Sequence, residues 1–126
     1  IVTDVCHDTQ TPMMSKITSG DLHCGKGPVL SYAPAVQNNL LKLIIDTANK
    51  NKIEFQRQAA SRATGTDTDA FAYATDGIAS ALISLPLRYM HTTVESVNKQ
   101  DVEEVIKLIY RSLKAIKNNQ DFRYLK

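Results

Sequence analysis

The sequence contains 126 residues, which is enough for one domain or for part of one. Its net charge of +2 is too small to indicate a nucleic acid or a membrane surface as a partner, and no apolar stretch approaches the roughly 20 residues that span a bilayer. Two cysteines are too few for a disulfide framework, so we expect a reduced, cytoplasmic setting. The chain begins at Ile1 without a Met or a signal-peptide pattern, which we interpret as a processed or partial chain.

The first half of the chain is predicted to contain three strands and one helix. The β-branched run Ile1–Cys6 favours a strand, and residues 7–28 have the composition of a long loop. A short strand is predicted over Val29–Ala33. The apolar residues of Asn39–Asn51 recur at helical spacing, which predicts an amphipathic helix. Ile53–Gln58 alternates apolar and polar residues, as is typical of a strand with one solvated face.

The second half is predicted to contain a buried strand between two helices. A short helix is expected over Ala70–Asp76, and the continuous apolar run Ile78–Leu87 favours an interior strand. Asn98 has the character of a helix cap, and a final helix is predicted from Lys99 to about Lys117. Asp121–Lys126 is predicted to be a tail or a short added strand. The predicted core stripe of the last helix is Val102, Val105, Ile106, Ile109, Leu113 and Ile116.

Strands and helices alternate along the chain, which predicts the α/β class. We expect a partial three-layer domain with a mixed, largely parallel sheet that is covered by helices. About four strands and three helices are fewer than a complete doubly wound domain contains, so a partner segment upstream is expected to be missing.

Asp4 and His91 are the strongest candidates for a metal site. Asp4 lies near the end of the first predicted strand, and His91 follows the central apolar run. The carboxyl ends of parallel strands meet at one edge of a sheet, so the two side chains are expected to approach each other. One imidazole with carboxylates suits Zn²⁺, Co²⁺ or Mn²⁺. The residues alone favour the plainer alternative, in which Asp4 caps a turn and His91 lies on the surface.

A second candidate metal site consists of the pairs Cys6–His7 and His23–Cys24, which could together bind one Zn²⁺. Adjacent ligands lack the spacing of two to four residues that structural zinc sites use, so this site is disfavoured. The alternative is a buried Cys6 with histidines that face the solvent.

Several short segments occur in an order that resembles a known family. The segment that ends at Arg88–His91 is the most specific of them, and the resemblance covers nearly the whole chain. The matching segments are Thr3–Val5, Gly25–Pro28, Gly65–Asp67, Gly77–Ile78, Ile83–Pro86, Arg88–Tyr89, His91, Val94–Glu95 and Asp101–Glu103. They resemble the glutamyl/deblocking aminopeptidases, di-metal exopeptidases of which many assemble as tetrahedral dodecamers. Because a complete member is more than twice as long, residues 1–126 are predicted to be the C-terminal portion of the catalytic domain.

The resemblance implies two divalent metal ions, with Asp4 as a carboxylate ligand of one and His91 as the imidazole ligand of the other. Family members also have a His, a bridging Asp and a Glu as ligands, and a further Glu as the general base. None of those motifs occurs in this sequence, so they are expected upstream. Each Zn²⁺ takes about four ligands, and the chain alone is therefore expected to be inactive.

Four more residues receive roles from the resemblance, each with a plainer alternative. Thr66 and Asp67 are similar to residues at the substrate end of the family's pocket, but capping of a helix explains them equally well. Arg88 and Glu95 flank His91 and are predicted to orient it. The alternative for this pair is an ordinary ion pair.

The implied function is hydrolysis of N-terminal residues from peptides by a metal-activated water. The implied partners are a peptide substrate and further copies of the chain in a homo-oligomer. Two alternatives remain open at this point: an inactive scaffold or interaction module of the same fold, and a carbohydrate hydrolase of the glucanase type. A carbohydrate hydrolase requires two carboxylates that flank the scissile bond.

Overall fold

The computed structural model describes residues 1–123, which form one five-stranded sheet and four helices. The strands are β1 (Val2–His7), β2 (Val29–Tyr32), β3 (Gln56–Ala59), β4 (Leu82–Arg88) and β5 (Ser96–Val97). The helices are α1 (Lys16–Ser19), α2 (Asn38–Lys50), α3 (Asp67–Ala72) and α4 (Lys99–Ala115). No described helix is long and apolar enough to cross a bilayer. The cytoplasmic location stays a prediction.

The sheet has the strand order β1-β4-β2-β3, and β5 pairs with β4 beside the main path. β1 runs parallel to β4 over six residue pairs, and β2 runs parallel to β3 over four. β4 is antiparallel to both β2 and β5, over two residue pairs each. The longer ladders are thus the parallel ones. The predicted α/β class and the mixed, largely parallel sheet are confirmed.

The main core lies where α2 and α4 pack against one face of the sheet. Leu30 of β2 and Ile83 of β4 are fully buried there, together with Ile44 of α2 and Leu108 of α4. The apolar stripe of α2 was predicted from its helical spacing, and burial of Leu40, Leu41, Ile44 and Ala48 confirms it. The helix stripe and the central strand therefore bury each other's apolar surface.

The central strand is shifted relative to its prediction, which placed it at Ile78–Leu87. Ile78 is 49% exposed, and its N–H donates to the carbonyl of Phe71 at the end of α3 instead of joining the sheet. The strand also continues through Pro86 to Arg88. The carbonyl of Pro86 accepts a hydrogen bond from Cys24 Sγ at 3.1 Å. An N–H at this position would point to the same side as the Pro86 carbonyl, toward Cys24. The proline therefore removes no hydrogen bond between paired strands here.

Both short helices differ from the sequence predictions. α3 begins at Asp67, three residues before the predicted start, because Thr66 Oγ1 accepts a hydrogen bond from the Thr68 N–H at 3.3 Å and caps the helix. It ends at Ala72, so the predicted end at Asp76 was too late. α1 lies within residues 7–28, which were predicted to be a loop. A helix of four residues offers too little periodicity to be recognised.

The core stripe predicted for α4 was partly wrong. Ile106 and Leu113 are 62% and 55% exposed. The residues buried on this helix are Asp101, Val105, Leu108 and Ser112. The helix packs against α2 and β4, and the stripe that is buried there is rotated away from Ile106 and Leu113.

The predicted tail is described only as far as Arg123. Phe122 packs against the main core, and its carbonyl accepts a hydrogen bond from Gln37 Nε2. The tail is thereby attached to the start of α2. The remainder of the predicted tail or added strand, residues 124–126, lies outside the described residues.

Candidate active site

The sequence predicted that Asp4 lies near the end of β1, but the structure places it inside the strand. β1 pairs with β4 from Val2 to His7, so the strand continues three residues past Asp4. Asp4 stands beside Ser84 in the ladder and is half-buried. Its Oδ1 accepts the N–H of Val5 at 2.7 Å, and Oδ2 has no hydrogen-bond partner among the described residues. One carboxylate oxygen is thus available to a ligand.

His91 lies in the loop that follows β4, three residues after the strand ends. Its backbone is left-handed, with φ of 64°, and its N–H donates to Glu95 Oε2 at 2.8 Å. Thr92 Oγ1 donates to the carbonyl of Tyr89 at 2.6 Å in the same turn. The loop is therefore fixed by its own hydrogen bonds. The imidazole is exposed and makes no hydrogen bond within the described part of the chain.

Chain neighbours of Asp4 and His91 line one cavity of about 570 Å³, but neither Asp4 nor His91 is among its lining residues. Val5, the neighbour of Asp4, and Met90, the neighbour of His91, both line it. Its polar lining is His7, Thr18, Ser19, Ser31, Gln58, Ser61, Arg62, Thr64, Thr66 and Ser84. None of the described lining residues is Asp or Glu. β1 and β4 pair in parallel, but Asp4 lies opposite Ser84, seven residues before His91. The expected approach of the Asp4 and His91 side chains stays a prediction.

Of the two predicted substrate residues, Thr66 lines the cavity and Asp67 does not. Thr66 Oγ1 lies 2.8 Å from Thr64 Oγ1, and it also caps α3. Asp67 is exposed in the first turn of that helix, where a negative charge is favourable. Thr66 thus provides the helix cap, and Asp67 does not. Its role in substrate binding stays a prediction.

Asp69 holds the cavity wall, a role that the sequence analysis missed. Its carboxylate accepts the N–H groups of Thr64 and Gly65 at 2.9 to 3.0 Å. Burial alone raises the pKa of Asp69, but these hydrogen bonds outweigh it and hold the pKa below its ordinary value. An acidic residue three positions after the helix cap Thr66 was the available signal, because this spacing is typical of a capping box.

Arg88 and Glu95 both flank His91, but in different ways. Glu95 binds the His91 backbone, as described above, and no ion pair joins Glu95 to Arg88 in the described structure. Arg88 is half-buried, and its guanidinium lies 5.4 Å from the centre of the Tyr89 ring. Its charge also helps to lower the pKa of the buried Asp8. The ion-pair alternative is thus not what the structure shows, and the predicted orienting roles remain to be tested.

The alternative zinc site at Cys6, His7, His23 and Cys24 receives little support. Within residues 1–123 these four side chains are not grouped closely enough to hold a metal ion, and burial raises the pKa of Cys6 to about 12 and that of Cys24 to about 11. Cys24 Sγ instead donates to the carbonyl of Pro86. His23 Nε2 lies 3.0 Å from Asp21. Cys6 is buried, as the plainer alternative predicted. The histidines do not simply face the solvent as it also predicted, because His7 and His23 are both partly buried.

Residues 1–108 match the M42 glutamyl aminopeptidase family. The chain belongs to this family. The membership confirms the resemblance that was inferred from the short segments around Thr3–Val5, Gly65–Asp67 and Arg88–Glu95.

Individual relatives agree with membership of the M42 family. Lysyl aminopeptidase of Pyrococcus furiosus is 37% identical over 93 residues, which are 74% of this chain and 27% of that protein. The Pyrococcus horikoshii TET1 peptidase, which can assemble into a tetrahedron or a large octahedral shell, is 29% identical with a TM-score of 0.65, over 90% of this chain and 31% of its own. Aminopeptidase APDkam598 of Desulfurococcus kamchatkensis has the same fold, with a TM-score of 0.76 at 21% identity, over 98% of this chain and 37% of its own. The chain therefore spans about a third of the length of these relatives.

The predicted ligands of this M42 chain are of residue types that suit a metal site, and their role as ligands stays a prediction. A carboxylate oxygen of Asp4 and the imidazole of His91 are ligands that Zn²⁺ and Co²⁺ accept, and neither is engaged elsewhere among the described residues. Within residues 1–123, no three His, Cys, Asp or Glu side chains are grouped closely enough to hold a metal ion. A site built on Asp4 and His91 would therefore need further ligands.

Proposed function

We propose that this chain is the C-terminal portion of the catalytic domain of a metal-dependent aminopeptidase that removes N-terminal residues from peptides. The supporting observation is that residues 1–108 match the M42 glutamyl aminopeptidase family, and a cavity is lined by Val5 and Met90, the chain neighbours of Asp4 and His91. The chain covers about a third of its relatives. The remaining ligands and the general-base Glu are therefore expected outside these 126 residues.

In this proposal Asp4 and His91 each supply one ligand to one of two divalent cations, Zn²⁺, Co²⁺ or Mn²⁺. When bound, such cations acidify a water and polarise the scissile carbonyl. The residues of this chain orient the peptide: Thr66 and its neighbours line the cavity with hydroxyl groups that can bind the substrate backbone. Asp67 lies at the start of α3, beside Thr66, and Arg88 and Glu95 orient the His91 loop.

A peptide substrate is favoured over a carbohydrate by the family of the chain. A glycoside hydrolase needs two carboxylates on opposite sides of the bond, and for either enzyme the acidic groups would have to come from outside the described lining of this cavity. Membership of an aminopeptidase family favours the peptide. Hydroxyl and amide groups dominate the lining, and they suit the donors and acceptors of a peptide backbone. Hydrolysis of cellulose that survives chelation would favour the glucanase alternative.

We also propose that the complete protein forms a homo-oligomer. The tetrahedral and octahedral assemblies of the P. horikoshii TET1 peptidase support this proposal. Apolar side chains that the described structure leaves exposed on α4, such as Ile106 and Leu113, are available for contacts with other protein. Sedimentation of the full-length protein tests it, and a monomer at micromolar concentration would contradict it.

The decisive experiment replaces His91 by Ala in the full-length protein. Removal of a ligand is expected to lower the bound metal measured by elemental analysis, and to lower kcat/KM on peptide substrates by more than about 100-fold. The matched control is His23→Ala, which removes a histidine that lies against Asp21, outside the proposed site. The control is expected to retain activity and metal.

Unchanged turnover of His91→Ala at saturating metal would remove His91 from the mechanism. The inactive-scaffold alternative makes a different prediction, because the full-length protein itself would then neither bind metal nor cleave peptides. The upstream sequence separates the two alternatives directly. A His, a bridging Asp and paired Glu residues upstream would support the enzyme, and their replacement would support the scaffold.

A further inference from the structure

Two aspartates that have no place in the proposed metal site are almost completely buried. Asp8 and Asp101 are each 1% exposed. The carboxylate of Asp8 accepts hydrogen bonds from the N–H groups of Gln10 at 2.7 Å and Cys24 at 2.9 Å. A buried carboxylate is costly unless it is paired in this way, so these contacts show a built arrangement and not an accident of the surface.

Asp101, in the first turn of α4, binds the residues that directly follow Cys24. Its two oxygens accept the N–H groups of Gly25 at 2.6 Å and Gly27 at 2.9 Å. We call residues 24–27 the glycine segment. Three of the four backbone N–H groups bound by the two carboxylates belong to this segment, which is therefore held between Asp8 and Asp101.

Asp8 is charged at neutral pH. Burial on its own raises the pKa of Asp8, but hydrogen bonds from the Cys24 and Gln10 N–H groups and the nearby charge of Arg88 outweigh burial. Its pKa therefore lies below the ordinary value. The attraction between this carboxylate and the N–H groups is correspondingly stronger than that of a neutral pair.

The held segment is attached directly to the end of β4. Cys24 Sγ donates to the Pro86 carbonyl at 3.1 Å, and the Asp8 N–H donates to the Leu87 carbonyl at 2.8 Å. These carbonyls precede His91 by only five and four residues. The raised pKa of Cys24, about 11 because of burial, keeps the hydrogen on this thiol so that it can donate.

The other end of the His91 loop is attached to the same structure. Ser96–Val97 of β5 pairs with Leu87 and Arg88 of β4, and the next residue, Asn98, caps α4. Asp101 lies three residues beyond that cap. The loop that carries His91 thus leaves from β4 and returns to α4, and both points are joined through the glycine segment.

We infer that Asp8 and Asp101 are positioning residues, which set the location of His91 by holding the end of β4 and the start of α4 on the glycine segment. This inference rests on the proposed function, because it assumes that His91 binds a metal ion. Neither aspartate touches the metal or the substrate in this arrangement. Their effect passes through the backbone at both ends of one loop.

The test uses Asp101→Asn in the full-length protein, with the Co²⁺ dissociation constants measured by titration. The amide turns an N–H₂ group toward one of the two glycine N–H groups, so the segment loses a contact. Co²⁺ binding is expected to weaken about 10- to 100-fold, the range found for residues that orient metal ligands. Circular dichroism at the same temperature establishes that the variant is folded.

Two further variants guard against a failure to fold and against nonspecific effects. Glu103→Gln is the matched control, since Glu103 is on the same helix but is exposed and 3.8 Å from Lys99; its Co²⁺ affinity is expected to be unchanged. Cys24→Ala removes one donor to β4 and is expected to weaken Co²⁺ binding about three- to tenfold. Cys24→Ser keeps a donor and is expected to restore most of the loss.

Folded Asp101→Asn and Cys24→Ala variants with unchanged Co²⁺ affinity and kcat would overturn the inference. A Cys24→Ser variant as weak as Cys24→Ala would also count against it. Comparison with His91→Ala distinguishes a failure of this inference from a failure of the proposed function. If His91→Ala loses metal while the positioning variants keep it, only this inference fails; if His91→Ala itself keeps both metals, the proposed function fails as well.

Discussion

At the scale of single residues, the position of Gly27 is one that only glycine can occupy without strain. Its backbone is left-handed, with φ of 80°, and its N–H is bound by Asp101. A Cβ at this position would lie inside the contact distance of the Glu54 carbonyl oxygen, which is backbone and cannot swing away. The close approach and the positive φ therefore both require glycine.

We predict that Gly27→Ala lowers the free energy of unfolding by about 3 kcal/mol, from left-handed strain together with overpacking. The matched control is Gly65→Ala, where φ is 73° but no atom lies within 4 Å of the new Cβ. It carries the strain alone, about 1 kcal/mol. Urea unfolding of both variants measures the difference, and equal losses would contradict the assigned clash with Glu54.

At the scale of secondary structure, the start of α4 is where sequence and structure agree best. Asn98 was predicted to cap this helix, and its Oδ1 accepts the Gln100 N–H at 2.8 Å. The cap could be predicted from the sequence because it depends on residues that are only two positions apart. The central strand is less readable: Ile78 was assigned to it by hydrophobicity, but its N–H binds Phe71. Hydrophobicity reports burial potential, whereas pairing decides membership in a sheet.

We predict that Asn98→Ala destabilises the protein by about 1 kcal/mol, because the first turn of α4 loses its cap. The control is Asn49→Ala on the exposed side of α2, where alanine is the better helix former and stability should stay the same or rise by about 0.5 kcal/mol. Thermal unfolding followed by circular dichroism compares the two. A smaller effect at Asn98 than at Asn49 would argue against the cap.

At the scale of the whole molecule, the described chain leaves a sheet edge and part of a helix uncovered. β1 is an edge strand with β4 on one side, and Ile106 and Leu113 of α4 are exposed. The proposed site is likewise incomplete, since Asp4 and His91 supply one donor each. These features agree with a chain that spans about a third of its relatives.

We predict that the 126 residues alone show no peptide hydrolysis and at most weak metal binding, because two donors cannot hold two cations. Calorimetric titration with Zn²⁺ and an aminopeptidase assay, run beside the full-length protein, measure both properties. Robust hydrolysis by the 126-residue chain would show that no ligand or base is missing.

The sequence by itself determined the class of the fold, the helices α2 and α4, and the family, because these depend on local periodicity and on short segments such as Arg88–His91. Only the tertiary structure decided which residues support the site. Asp101 binds Gly25 and Gly27 across 76 and 74 residues of chain, and no local pattern reports such a contact. Whether a carboxylate is buried and hydrogen-bonded depends on residues distant in the sequence, which come together only after the chain has folded.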